Sequence, residues 1–185
     1  MTSRMLSGSP LLMNDNNIPG VGIHKEIKKL LPDIEAACRK MGLDYFPIVL
    51  EFMTYDEVAE IAAYGGFPVR YPHWKWGLEY EQLLRSFEYG QGRISELVIN
   101  NDPCYIYIMN SNSVVDNVDV IAHAIGHNDF FKNNIFFEKT NRKMIDKMAN
   151  HGARFRKYMS RWGRETVIDF VDHCFTTPTR HVFSE

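Results

Sequence analysis

Two histidines four residues apart, in the run His123-Ala-Ile-Gly-His127, are the sharpest chemical signal in the chain. On an α-helix, residues at that spacing stand one above the other, so two imidazoles can be offered to one divalent ion such as zinc. Around such a helix Val114, Val118, Ile121 and Ile125 form one stripe. Asp116, Asp119, His123 and His127 fall on the opposite side, off the expected core face. Asp119 lies one turn ahead of His123, where a carboxylate can accept an imidazole N–H and fix its tautomer. A second reading needs no metal: Asp116 closes a capping box with Ser113, Asp119 complements the helix N-terminus, and both histidines hydrogen-bond to polar neighbours. The two readings part on a third ligand. Glu51 and Glu96 are the candidates, each inside an otherwise apolar strand pattern and turned either out to water or in toward a partner. The expected metal set is His123, His127 and Glu96.

Other histidines offer less. His73 lies in Tyr71-Pro-His-Trp-Lys-Trp-Gly77, where paired tryptophans can wall a pocket or plug the core. His151 can approach the first pair if two helices run antiparallel, or can serve as a C-cap residue before Gly152. His173 is weaker still. A zinc peptidase of the HExxH type carries a glutamate directly after the first histidine, and here that position is Ala124. No GxSxG, P-loop or GxGxxG pattern supports a serine hydrolase, NTPase or dinucleotide reading. Lys139, Arg142, Lys143, Lys147, Arg154, Arg156, Lys157, Arg161 and Arg164 make the C-terminal helices basic, either as a solvated face or as a site for phosphate or an acidic partner.

These residues need elements to hold them. A helical pattern runs from His24 to Met41 with an interruption at Pro32, and Ile48 to Met53 reads as a strand. Thr54 and Glu57 form a capping box that opens a helix ending at Gly65-Gly66. A loop from Phe67 to Gly77 precedes a helix over Leu78 to Tyr89. Strands at Ile94 to Ile99 and Tyr105 to Met109 are joined as a hairpin through Asn100-Asn101-Asp102-Pro103. Helices are predicted over Val114 to Phe131, Asn141 to Asn150, Ala153 to Trp162 and Glu165 to Phe175. The expected class is α+β: a small, mainly antiparallel sheet packed with several helices, and a helical C-terminal half.

At 185 residues and 45% hydrophobic content the chain suits one domain with an apolar core. The formal charge of −2 gives no global pull toward nucleic acid or an acidic membrane. Three scattered cysteines fit neither a disulfide framework nor a CxxC zinc site, which favours a reducing compartment. No run has the length of a secretory h-region or a membrane span, so a soluble, cytoplasmic protein is expected. Residues 1–20, rich in Ser, Asn, Pro and Gly, read as a flexible leader, and 21–185 as the single domain.

Three blocks resemble the SpoVR (stage V sporulation protein R) family in order: Tyr71-Pro-His-Trp with Gly77; Glu96-Leu-Val-Ile-Asn-Asn-Asp-Pro-Cys-Tyr105; and Ile121-Ala-His-Ala-Ile-Gly-His-Asn-Asp-Phe-Phe-Lys-Asn-Asn134. The segment 141–172 is similar to the helical part that follows in that family. The resemblance implies a cytoplasmic protein of sporulation, linked to spore cortex formation, or of stress response. It implies partnership with a PrkA-type serine kinase and a von Willebrand-type protein, and a chain truncated relative to the family. His123 and His127 match the family motif. Asp119, His73, Asp129, Lys132, Asn133 and His151 are expected to surround the pair or line its pocket. The favoured expectation is a regulatory or assembly factor; the alternative is a metal-dependent hydrolase with the HxxxH helix, for which a divalent metal such as zinc is the cofactor.

Overall fold

The computed structural model describes residues 11–13, 21–89 and 96–176. Its elements are β1 (Leu11–Met13), α1 (Val21–Lys40), β2 (Ile48–Met53), α2 (Tyr55–Ala63), α3 (Trp74–Glu88), β3 (Glu96–Ile99), β4 (Cys104–Met109), α4 (Val114–Asn133), a 3₁₀ turn (Ile135–Phe137), α5 (Met144–Trp162) and α6 (Arg164–Thr176). This is the expected α+β class.

The sheet corrects one expectation: it is mixed, not mainly antiparallel. Strand order is β1-β2-β4-β3, with β1–β2 and β2–β4 parallel and β3–β4 antiparallel. The hairpin is where it was expected. Helices α2 and α3 carry the chain over before β3, so β4 slots between β2 and β3 and runs alongside β2. Parallel pairing needs such a long crossover, and strand patterns in a sequence do not reveal it. Of the stretch expected to be a flexible leader, Leu11–Met13 is a strand on the free edge of β2. The rest of that stretch, residues 94 and 95 of the expected hairpin, and the domain's last residues 177–185 lie outside the described residues.

Alternation along the strands separates two faces. Glu96 and Val98 of β3 share a face with Ile106 and Ile108 of β4 and with Leu50 and Phe52 of β2. That face meets α1 and α4 in a core built from Ile27, Leu31, Ile34, Ile121, Ala124 and Ile125. Leu97, Tyr107 and Glu51 are paired on the other face, toward α2.

Two helices are longer than their sequence suggests. Pro32 does not interrupt α1: it is exposed, and Ile27, Leu31, Ile34 and Cys38 stay buried on the far side of one continuous helix. The proline forgoes one helical hydrogen bond on the solvent side without uncovering the core. His151 and Gly152 do not divide a pair of helices; both lie inside α5. Gly152 is buried because α5 passes close to the 70–71 backbone, where a Cβ would sit 3.1 Å from the Arg70 carbonyl oxygen. Gly163, at φ 87°, ends α5 and lets α6 begin at once. Among the described residues, no helix is long and apolar enough to cross a membrane.

Candidate metal centre

Helix α4 starts at a capping box in which the Ser113 hydroxyl accepts from the Asp116 amide and the Asp116 carboxylate accepts from the Ser113 amide. With that end fixed, Asn117, Ile121, Ala124, Ile125 and Asn128 are buried. His123 and His127 fall beside this stripe, with 63% and 48% of their side chains exposed. Glu96 is the first residue of the edge strand β3 and lies on the face that α4 covers, only 16% exposed. Of the two strand carboxylates, Glu96 meets the histidines, while Glu51 pairs with Tyr107 on the opposite face.

Three donor atoms converge. Nε2 of His123 and Nε2 of His127 are 3.0 Å apart, and Glu96 Oε1 lies 3.3 Å from the first and 3.7 Å from the second. Ligand atoms about 2.0–2.2 Å from an ion and roughly 90–120° apart are about 2.8–3.8 Å from one another. The observed triangle falls in that interval. Without a cation an imidazole N–H can bridge the two nitrogens or reach Glu96 Oε1, but with both rings neutral the three close approaches cannot all be hydrogen bonds. Burial raises the Glu96 carboxyl above its ordinary range; His123 and His127 pull it back down, and Asp119 pushes it up again. Its second oxygen, Oε2, is buried with no hydrogen-bond partner. A divalent ion would give this partly buried carboxylate a further partner of opposite charge, and the donor types suit a metal.

The exposed histidines leave the site open on its solvent side. Gly126, between them on α4, adds to the room, because a Cβ there would meet no atom within 4 Å. Two histidines and one carboxylate with free positions are the ligand pattern of catalytic zinc and of non-haem iron.

The remaining expected site residues disperse. Asp119 stays at the centre through its effect on Glu96. Asp129, Lys132 and Asn133 bind the chain ahead of β2: the Asp44 amide donates to Asp129 Oδ1 at 2.7 Å, Lys132 Nζ reaches Asp44 Oδ1 at 2.5 Å, and Asn133 Nδ2 donates to the Asp44 carbonyl at 2.8 Å. They anchor the end of α4 to residues 44–46. His73 is the N-cap of α3, its Nδ1 accepting from the Lys75 amide at 3.2 Å, with Nε2 3.2 Å from Asp172 of α6. This early cap explains why α3 begins at Trp74. His151 is half-buried within α5 and is not part of the converging group.

Asn128 is a residue the sequence reading did not single out. Fully buried, it accepts from the Phe46 amide at 3.3 Å and donates to the Phe46 carbonyl at 2.9 Å. An asparagine on the apolar stripe of α4 was the available signal. Arg142, expected as one of the basic residues of the C-terminal helices, instead donates to the Asn101 carbonyl at 2.8 Å and lies 3.3 Å from the Phe46 ring, joining the β3–β4 turn to the approach to α5.

Comparison with known proteins agrees with the three sequence blocks. The chain is 33% identical over 151 residues to the uncharacterized protein YcgB of Escherichia coli (strain K12), a match covering 78% of this chain and 29% of that one. The chain thus spans less than a third of the relative's length. No solved structure matches it. The family model described as SpoVR like protein matches residues 23–183, and the chain belongs to the SpoVR family.

Proposed function

We propose that this domain holds one divalent metal ion on Glu96, His123 and His127 and serves a metal-dependent hydrolytic activity. The observation that carries this reading is the convergence of one partly buried carboxylate oxygen and two imidazole nitrogens within 3.0–3.7 Å. A bound ion supplies Lewis acidity and a water of lowered pKa. The chain's own part is to present three ligands across the β3–α4 seam with both histidines exposed on its outer side, and to keep Asp119 near enough to influence charge at Glu96. Ala124 stands where an HExxH enzyme has its base, and Asp119 is a carboxylate close enough to influence Glu96. Elemental analysis of protein purified without chelator tests the reading. About one equivalent of zinc, iron or manganese is expected, reduced severalfold in His123→Ala and His127→Ala; a metal-free protein, or variants that keep their metal, would overturn it.

A second reading, the regulatory or assembly factor of sporulation or stress in the cytoplasm, is favoured by a different observation. Helices α5 and α6 leave an apolar groove of about 460 Å³ lined by Phe155, Tyr158, Trp162, Val167, Phe170 and Val171. Trp162 and Phe170 are more than half exposed there. Arg154 and Arg161 flank Tyr158 and Trp162 at helical spacing, which suits an amphipathic helix with an acidic edge. The PrkA-type kinase and the von Willebrand-type protein are the proposed sources of that helix. Co-purification of either with the wild-type chain, abolished by Phe170→Glu, is expected. Retention that ignores the substitution, or no retention, would remove the reading.

A further inference from the structure

A second cavity, away from the histidine pair, lies where α2, α3 and the start of α6 meet. It has a volume of about 490 Å³ and is lined by Glu60, Tyr64, Trp76, Gly77, Tyr80 and Arg164, with His73 and Pro72 at one end. This is the size of an ordinary small-molecule site, which typically spans about 300–1,000 Å³ with aromatic walls and few polar groups.

Two features of the lining bear on what it could hold. The first is Gly77. It sits inside α3, where glycine costs roughly 1 kcal/mol relative to alanine. Its φ is not positive, and a Cβ would meet no atom within 4 Å. Gly152 is needed for a close backbone approach; Gly77, exposed, is needed for none, and its missing side chain leaves open space at the mouth of the cavity it lines. The second is charge. Glu60 and Arg164, both exposed at the solvent side, line the same space with opposite charges, and neither is paired with the other or with another described residue. His73, also in the lining, is buried, and its Nε2 has no well-aligned hydrogen bond although Asp172 lies 3.2 Å away. One face of Trp76 is already occupied by the Arg70 guanidinium at 4.2 Å, which holds the indole in place as a wall.

We propose that this cavity binds a small zwitterion with an aromatic body, of the size of a dipeptide. Arg164 takes the carboxylate, Glu60 takes the ammonium, and Tyr64, Trp76 and Tyr80 pack the apolar part. Separated opposite charges select a ligand that bears both. Either end alone forfeits one charge-assisted contact. The site makes no use of Glu96, His123 or His127, so it stands or falls separately from the metal centre.

Calorimetric titration of the full chain with glycyl-L-phenylalanine, in the presence of a chelator, tests this. Saturable binding is expected, with affinity falling about tenfold or more for the N-acetylated dipeptide and for the dipeptide amide. Arg164→Gln should weaken the free dipeptide by a similar factor and leave the amide unchanged; Glu60→Gln should do the converse for the acetylated form. Gly77→Leu fills the cavity on a good helix former, so it should abolish binding without lowering the unfolding temperature. No saturable heat, equal binding of the blocked dipeptides, or undiminished binding to Gly77→Leu would each overturn the proposal.

Discussion

At the scale of single residues, Glu96 serves the proposed site at the expense of the fold. Its carboxyl is raised above the ordinary range by burial, so its ionised form is disfavoured in the native state and the stability present at low pH is lost as pH rises through the raised value. Glu96→Gln removes that cost. In chelator at pH 8, above the range in which imidazole titrates, this variant should be more stable than wild type by about 1 kcal/mol, or roughly 2–4 °C. Added zinc should then raise the melting temperature of the wild type only. A variant that melts lower than wild type in chelator would show that Glu96 is a structural ion-pair partner. The cysteines give an independent check on the packing. Burial pushes Cys104 up to about 12, against a small opposing pull from Arg142, and burial likewise raises Cys38, while Cys174 is exposed. A thiol of that kind leaves about one thiolate in ten thousand at pH 8. One cysteine should react with a disulfide reagent in the native protein and three in denaturant; a second fast native reaction would place Cys38 or Cys104 at the surface.

Elements were legible where local chemistry decides them and obscure where tertiary contact does. Both capping boxes, Thr54 with Glu57 and Ser113 with Asp116, are present as the sequence spacing indicates, because each is closed by residues three apart. The face of α4 that carries the histidines followed from periodicity alone. What escaped depends on partners distant in sequence: the parallel pairing of β2 with β4, the start of α3 at an unusual histidine cap, and the passage of α5 through Gly152. Of the candidate site, His123, His127 and Glu96 were all expected from the sequence, and the strand register adds that Glu51, the other candidate carboxylate, lies on the opposite face. The helix glycines now make opposed predictions. Gly152→Ala places a Cβ 3.1 Å from a backbone oxygen and should destabilise by about 1–2 kcal/mol, the overpacking outweighing the gain in helix propensity. Gly77→Ala meets nothing and should stabilise by about 0.5–1 kcal/mol. Denaturant titration of both variants decides it, and equal signs would mean that α5 does not cross the 70–71 backbone as closely as described.

For the molecule as a whole, the proposed metal site lies across the seam between the sheet's edge strand and the helix covering it. β3 is four residues long and hydrogen-bonded to β4 alone among the described strands. A ligand that joins Glu96 to α4 therefore fastens a short edge strand to the core helix, and stabilises the native state by its affinity for it. At a free metal concentration a hundred times the dissociation constant this amounts to about 2.7 kcal/mol. In a chain of this length that is a rise of roughly 5–10 °C in melting temperature. The gain should be local in its origin. Hydrogen exchange at the amides of β3 and of the 119–127 turns of α4 should slow on adding zinc, whereas α5 and α6, which pack on one another and supply no ligand, should change only as far as global unfolding limits them. His127→Ala should return β3 to its metal-free exchange rate. Protection that appears first in α5 and α6 would put the ion elsewhere, on the basic helices' own acidic or histidine side chains, and would separate metal binding from the β3–α4 seam.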